Sequence, residues 1–132
     1  MSTPLSTRLY DGFLPGQHAI DGYGHGGFAF GGMSHRGSIL ALPSGICAWT
    51  VTRLADVDEA SLAPLLNEPR GTIEFVLFGC GERLQPLPAA LRKLLNGAGL
   101  RCDAMATRHA VSTYNILLGE RRLVAAALIA AT

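Results

Sequence analysis

The chain reads as one small soluble α/β domain, and three features predict it. Apolar runs of strand length alternate with amphipathic runs of helix length across its second half, the order that builds strand–helix–strand units. Residues 72–78 (Thr-Ile-Glu-Phe-Val-Leu-Phe) are almost continuously apolar, as a strand must be when both faces of its sheet are covered. A length of 132 residues, 48% of them hydrophobic, suits a single domain with one core.

Taken in order, residues 1–17 mix Pro, Ser, Thr and Gly with scattered apolar side chains. They are expected to form an N-terminal arm, extended on the domain or disordered, with the α/β domain at 18–132. From 21 to 37 glycine recurs at Gly22, Gly24, Gly26, Gly27, Gly31, Gly32 and Gly37, with Phe28 and Phe30 alternating among small residues. That pattern predicts a glycine-rich hairpin region holding a short strand bounded by tight turns. Residues 38–42 and 46–51 are β-prone and are separated by Pro43-Ser44-Gly45, which predicts a hairpin. Trp49 on its second strand is expected to cover one edge of the core.

Asp58 and Ser61 are alternative N-caps for a short helix, placed here near Ser61, in whose first turn Pro64 is harmless. The segment 72–78 is the expected central strand. Pro88 in a first turn, Leu87, Leu91, Leu94 and Leu95 at helical spacing, and Gly97 with Gly99 at the end predict an amphipathic helix. Leu100, Cys102, Ala104 and Ala106 alternate with polar residues as in a strand with one buried face, so a right-handed parallel crossover is expected. Thr107 is expected to cap a second helix, with Ala110, Val111, Tyr114, Leu117 and Leu118 inward and Gly119 as its stop. Residues 123–129 then close the sheet as a strand.

Composition excludes several functions. Eleven Lys plus Arg against ten Asp plus Glu leave a formal charge of +1, so no global field is present to hold a nucleic-acid backbone or an anionic membrane. The apolar run 123–131 is less than half of the ~20 residues a membrane-spanning helix needs. Cys47, Cys80 and Cys102 are odd in number and far apart, which fits a reducing compartment, and with no signal-peptide core near Met1 the cytoplasm is the expected location. His18, His25 and His35 lack ligand spacing and a carboxylate cluster, so neither a metal nor a cofactor is expected. Cys80 and His109 lack any signature of a nucleophile–base pair, and a structural cysteine is the stronger reading.

Two groupings remain as candidate ligand residues. Gly79-Cys80-Gly81 follows the apolar strand like half of a dinucleotide fingerprint, but Leu84 stands where the third glycine would be. The loop is therefore read as a tight strand exit and as the floor of a pocket. Thr107, Arg108 and Asn115, with Glu120, Arg121 and Arg122, form the densest polar grouping, and a guanidinium at a helix start would suit a carboxylate or phosphate. Against that reading, Thr107 is simply a cap, Arg108 is solvated and Glu120 pairs with an arginine.

The run 107–128, most specifically its Thr-x-x-Ala-x-x-Thr-Tyr-Asn and Glu-x-Arg segments, resembles a small family that includes a mitochondrial respiratory complex I assembly factor and an adipogenesis-associated protein. Tyr23-Gly24, Gly26-Gly27-Phe28, Gly37-Ser38, Trp49, Gly79 and Gly81 support the resemblance, which runs from about Ile20 and looks more like a bacterial member. It implies a three-layer α/β fold around a mixed sheet and no established chemistry. Arg121 departs from the glycine expected between Glu120 and the arginine. The functional expectation is a non-enzymatic interaction or assembly-factor-like module, monomeric or homodimeric, with an unidentified protein partner. The alternative is an anion-binding or enzyme-like site at the carboxyl ends of the strands, formed by Gly79, Cys80, Gly81, Thr107, Arg108 and Asn115.

Overall fold

Strand character concentrates where β-branched, aromatic and alanine side chains lie on paired extended segments, and two sheets result. The computed structural model describes residues 13–131. Its elements run β1 (Phe13–Pro15), β2 (Gly22–Gly24), β3 (Gly27–Phe30), β4 (Met33–Arg36), β5 (Ser38–Ala41), β6 (Gly45–Trp49), α1 (Ala63–Leu66), β7 (Phe75–Gly79), α2 (Ala89–Gly97), β8 (Arg101–Met105), α3 (Thr107–Gly119) and β9 (Val124–Leu128). A single 3₁₀ turn at Leu54–Asp56 lies between β6 and α1.

Six strands form a mixed sheet in the order β1-β6-β5-β9-β7-β8. The first four pair antiparallel, whereas β9, β7 and β8 run parallel. The expected hairpin is β5–β6, and the expected strand–helix–strand unit is β7–α2–β8. Residues 13–15 form the edge strand β1, Phe13 standing opposite Cys47 of β6. Residues 1–12, which hold most of the arm expected at 1–17, lie outside the described residues.

Strand order departs from the sequence reading. β9 does not close the sheet: it lies between β5 and β7, and β7 stands one place from the edge. Every residue of β9 is fully buried. An apolar run reports that both faces of a strand are covered, and says nothing about which neighbours cover its edges.

The two-residue period of the strands divides the core into two clusters on opposite faces. Leu40, Val76, Phe78, Ala125 and Ala127 pack with Leu54, Leu62, Leu65, Leu91 and Leu95. Ile39, Leu77, Val124, Ala126 and Leu128 pack with Phe28, Phe30, Ala110, Val111 and Tyr114. Each large aliphatic or aromatic side chain removed from water in this way contributes about 1.5–3 kcal/mol. Trp49 is buried as expected, its indole N–H donating 2.8 Å to the Ser61 carbonyl.

The glycine-rich region holds three strands rather than one, β2, β3 and β4, paired antiparallel into a second sheet. Phe28 and Phe30 turn their rings into the core. Gly27 admits no side chain, because a Cβ there would collide with the His35 carbonyl. The small sheet is tied to the large one where the Gly26 amide donates 2.9 Å to the Ala131 carbonyl. Strands of three or four residues hold too few apolar side chains to show an alternation, which is why two of them are invisible to pattern reading.

The helix ends repeat one geometry. After α2 the Leu100 amide reaches back 2.9 Å to the Leu95 carbonyl across Gly99, whose φ is +81°. After α3 the Arg122 amide reaches 2.9 Å to the Leu117 carbonyl across Arg121, with φ +62°. Gly99 takes the left-handed conformation without a Cβ penalty and Arg121 does not. Pro88 precedes α2 as its N-cap instead of sitting in its first turn. Ahead of α1, Asp58 and Ser61 bond reciprocally, the Ser61 amide to Asp58 Oδ1 at 2.8 Å and the Asp58 amide to Ser61 Oγ at 3.0 Å, and Leu62 takes the N-cap position.

Candidate functional site

Parallel strands β7 and β9 end side by side, and the chain leaving β7 meets the start of α3 there. Thr107 joins them. The sequence reading makes it an N-cap, but the N-cap is Ala106 and no side chain caps the helix. Thr107 is instead the first helical residue, 1% exposed. Its hydroxyl donates 2.7 Å to the Ile129 carbonyl just past β9 and accepts 2.8 Å from the Gly81 amide. Its own amide donates 2.8 Å to the Gly81 carbonyl. A buried hydroxyl with both roles filled ties three segments together, because leaving any of these groups unpaired costs about 1–3 kcal/mol.

The two glycines have separate steric reasons. A Cβ on Gly79 would lie 2.9 Å from Thr107 Oγ1 and 3.0 Å from both Thr107 Cα and Leu128 Cδ2, so the helix start would be pushed off the strand. Gly81 has φ +97°, in the region that favours glycine. Cys80 between them is buried, its amide donating 2.9 Å to the Met105 carbonyl and its thiol 3.5 Å to the Gln85 carbonyl. Burial pushes the thiol pKa up, against smaller lowering contributions from backbone hydrogen bonds with Gln85 and Met105. A neutral thiol is a poor nucleophile, and His109 is an exposed residue of α3.

The structure thus brings Gly79, Cys80, Gly81, Thr107 and Arg108 to one place. Arg108 leans over the loop, its Nη1 donating 3.1 Å to the Glu82 carbonyl. Asn115 is not part of this group. It lies eight positions beyond Thr107 on α3, about 12 Å at 1.5 Å per residue. There its side chain accepts 2.9 Å from the Ile20 amide and donates 2.8 Å to the Ile20 carbonyl. A carboxamide that pairs with both polar groups of one backbone residue holds the incoming chain against the helix. Neighbouring Tyr114 does the same at His18, its phenol donating 3.1 Å to that carbonyl.

Two adjoining recesses open at these strand ends, of about 480 Å³ and about 220 Å³, sharing Gly81, Glu82 and Ala131. Arg53 and Arg83 line the larger one, Tyr23 and Arg108 the smaller. The sequence reading singled out neither Arg53 nor Arg83. The available signal was that each stands a few residues beyond a strand, at the carboxyl ends where sheets of this kind present their clefts. Among the described residues no three His, Cys, Asp or Glu side chains gather as a metal site would require. His18 Nε2 lies 2.9 Å from the Pro15 carbonyl. No helix among the described residues is long and apolar enough to cross a membrane.

Comparison with known proteins agrees with the fold. A family model described as "Protein of unknown function (DUF498/DUF598)" matches residues 20–129. An uncharacterized protein of Rhodobacter capsulatus is 36% identical over 120 residues, spanning 91% of this chain and 87% of that protein. Human NADH dehydrogenase [ubiquinone] 1 alpha subcomplex assembly factor 3 is 33% identical over 111 residues, 83% of this chain but only 59% of the human protein. Among solved structures, a Bartonella henselae protein described as an outer membrane protein superposes with a TM-score of 0.84 at 44% identity, covering 89% of this chain and 98% of that one.

Proposed function

The chain belongs to the DUF498/DUF598 family of protein of unknown function, and on that premise we propose that it is a non-enzymatic interaction module of the assembly-factor kind. The observation that carries this reading is the internal use of the strand-end donors. A phosphate or carboxylate bound at such a loop depends on free backbone amides. Here the Cys80 amide is spent on Met105, the Gly81 amide on Thr107 Oγ1 and the Thr107 amide on the Gly81 carbonyl. Buried Thr107 closes the floor, so the loop serves as a rigid support and the side chains above it form a surface.

Similarity to a named assembly factor over 83% of this chain supports the same reading. The chain covers less than two thirds of that relative's length, so a role with respiratory NADH dehydrogenase belongs to the proposal and its test. A cytoplasmic location is also part of the proposal, supported by three cysteines that are all free thiols. The test is to delete the gene and to follow the subunit composition of large assemblies, NADH dehydrogenase first, by native gels and mass spectrometry. Loss or stalling of one assembly, restored by the intact chain, is the expected result. Unchanged composition of every assembly would overturn it.

A further inference from the structure

The strand-end groove carries a charge pattern that family membership leaves unexplained. Three guanidiniums reach its lining from three separate segments: Arg53 after β6, Arg83 after β7 and Arg108 in the first turn of α3. Glu82 is the one carboxylate among the residues lining the two recesses, on a chain whose overall formal charge is only +1. Arg53 pairs with Asp56 at 3.2 Å, but their side chains are 72% and 50% exposed. A pair so open to solvent is readily exchanged for another carboxylate. The N-terminus of α3 adds its partial positive charge behind Arg108.

The shape indicates the occupant. Because the floor amides are already bonded, the charged donors lining the recesses are guanidiniums, those of Arg53 and Arg83 in the larger and that of Arg108 in the smaller. The two recesses adjoin at Gly81, Glu82 and Ala131, which sets their cationic walls next to each other and suits carboxylates presented at intervals on an extended chain. One exposed aromatic side chain lines the groove, and an exposed leucine follows one of its arginines in sequence. Tyr23 lines the smaller recess at 51% exposure, and Leu84, next in sequence to Arg83, is 63% exposed. Tyr and Arg are the residue types that dominate binding energy at protein interfaces.

The geometry points to this groove as the docking site for an extended acidic peptide segment of a partner protein. Its carboxylates would engage Arg53, Arg83 and Arg108 in charge-assisted hydrogen bonds, and its apolar side chains would lie against Tyr23 and Leu84. The inference rests on the interaction-module reading and gives that reading its surface.

Fluorescence anisotropy of a fluorescein-labelled peptide alternating Glu and Leu, titrated with the full chain, tests it. Support is binding that weakens with added salt, falls about fivefold or more in the Arg83→Glu/Arg108→Glu double variant, and is unchanged by Ile116→Glu on exposed α3 surface. The idea is overturned by the absence of binding, by equal binding of a peptide with Lys in place of Glu, or by undiminished binding to a double variant with native circular dichroism. Displacement by inorganic phosphate at matched ionic strength overturns it too, since that assigns the groove to small anions. Capture from cells separates the two claims. A double variant that keeps the wild-type partner refutes the groove alone, whereas a wild-type chain that captures no partner but binds the peptide refutes the module reading alone.

Discussion

Gly81 and Thr107 are bonded to each other twice, in opposite senses. The Gly81 amide donates 2.8 Å to the Thr107 hydroxyl, and the Thr107 amide donates 2.8 Å to the Gly81 carbonyl. With the further bond from that hydroxyl to Ile129, the exit of β7, the start of α3 and the end of β9 become one mechanical unit. Any function at the strand ends is displayed on this unit.

Thr107→Val keeps the shape of the side chain and removes its hydroxyl. The Gly81 amide and the Ile129 carbonyl then lose their partner in a buried setting, and a loss of about 2–4 kcal/mol in unfolding free energy is expected. Thr107→Ser keeps the hydroxyl and should lose less than half as much. Urea denaturation of both variants checks it, and equal losses would show that packing rather than hydrogen bonding accounts for Thr107.

Gly79→Ala tests the steric half of the same junction. Its Cβ meets Thr107 Cα at 3.0 Å, backbone that cannot swing aside, so α3 must shift. A cost of about 1–3 kcal/mol is expected, as for other overpacked sites. Amide exchange should rise at 79–81 and at the first turn of α3 while β5 and β6 stay protected; unaltered exchange at the helix start would count against it.

Arg121→Gly should stabilise the chain. A left-handed non-glycine residue costs about 1–2 kcal/mol and glycine's extra unfolded-state entropy returns part of that, leaving a gain of about 0.5–1 kcal/mol. The mirror experiment, Gly99→Ala, should destabilise by about 1 kcal/mol although nothing lies within 4 Å of the added methyl. Thermal melts of the pair give the two signs, and a destabilised Arg121→Gly would mean that the arginine side chain contributes more than its backbone costs.

Tyr114 sets an alkaline limit. Burial pushes its phenol pKa up to about 12, against a smaller lowering contribution from a hydrogen bond with Gln17. The folded state therefore holds the proton more tightly than the unfolded chain, whose phenol titrates near 10. The resulting stability, on the order of 2–3 kcal/mol, is fully present below pH 10 and is lost as pH rises toward about 12. Tyr114→Phe should lose about 1 kcal/mol at neutral pH, through the bond to the His18 carbonyl, and flatten the alkaline decline. A decline of the same depth in the Phe variant would place its cause elsewhere.

Much of the architecture was legible in the residues. Leu91 and Leu95 at helical spacing mark α2, and the apolar run ending at Phe78 marks β7, because burial of a face imposes the period of the element that presents it. The candidate site was legible only in part. Gly79, Cys80, Gly81 and Thr107 stand out in the sequence, but Thr107 reads there as a helix cap, since a hydroxyl next to a helix start usually serves its own helix. Asn115 groups with Arg108 in sequence because both are polar residues of α3, yet they stand seven positions apart, about two turns of helix.

Taken alone, the sequence determines what local chemistry and periodicity can decide: the α/β class, the helices at Ala89–Gly97 and Thr107–Gly119, the β5–β6 hairpin and the family. Tertiary structure alone decides that β9 stands between β5 and β7, that Thr107 binds across to Gly81 and Ile129, and that Arg53, Arg83 and Arg108 line two adjoining recesses. These relationships join residues 22 to 89 positions apart. No local pattern encodes them, because they arise only when edge pairing and two-sided burial select one strand order from several that satisfy the same hydrophobic periods.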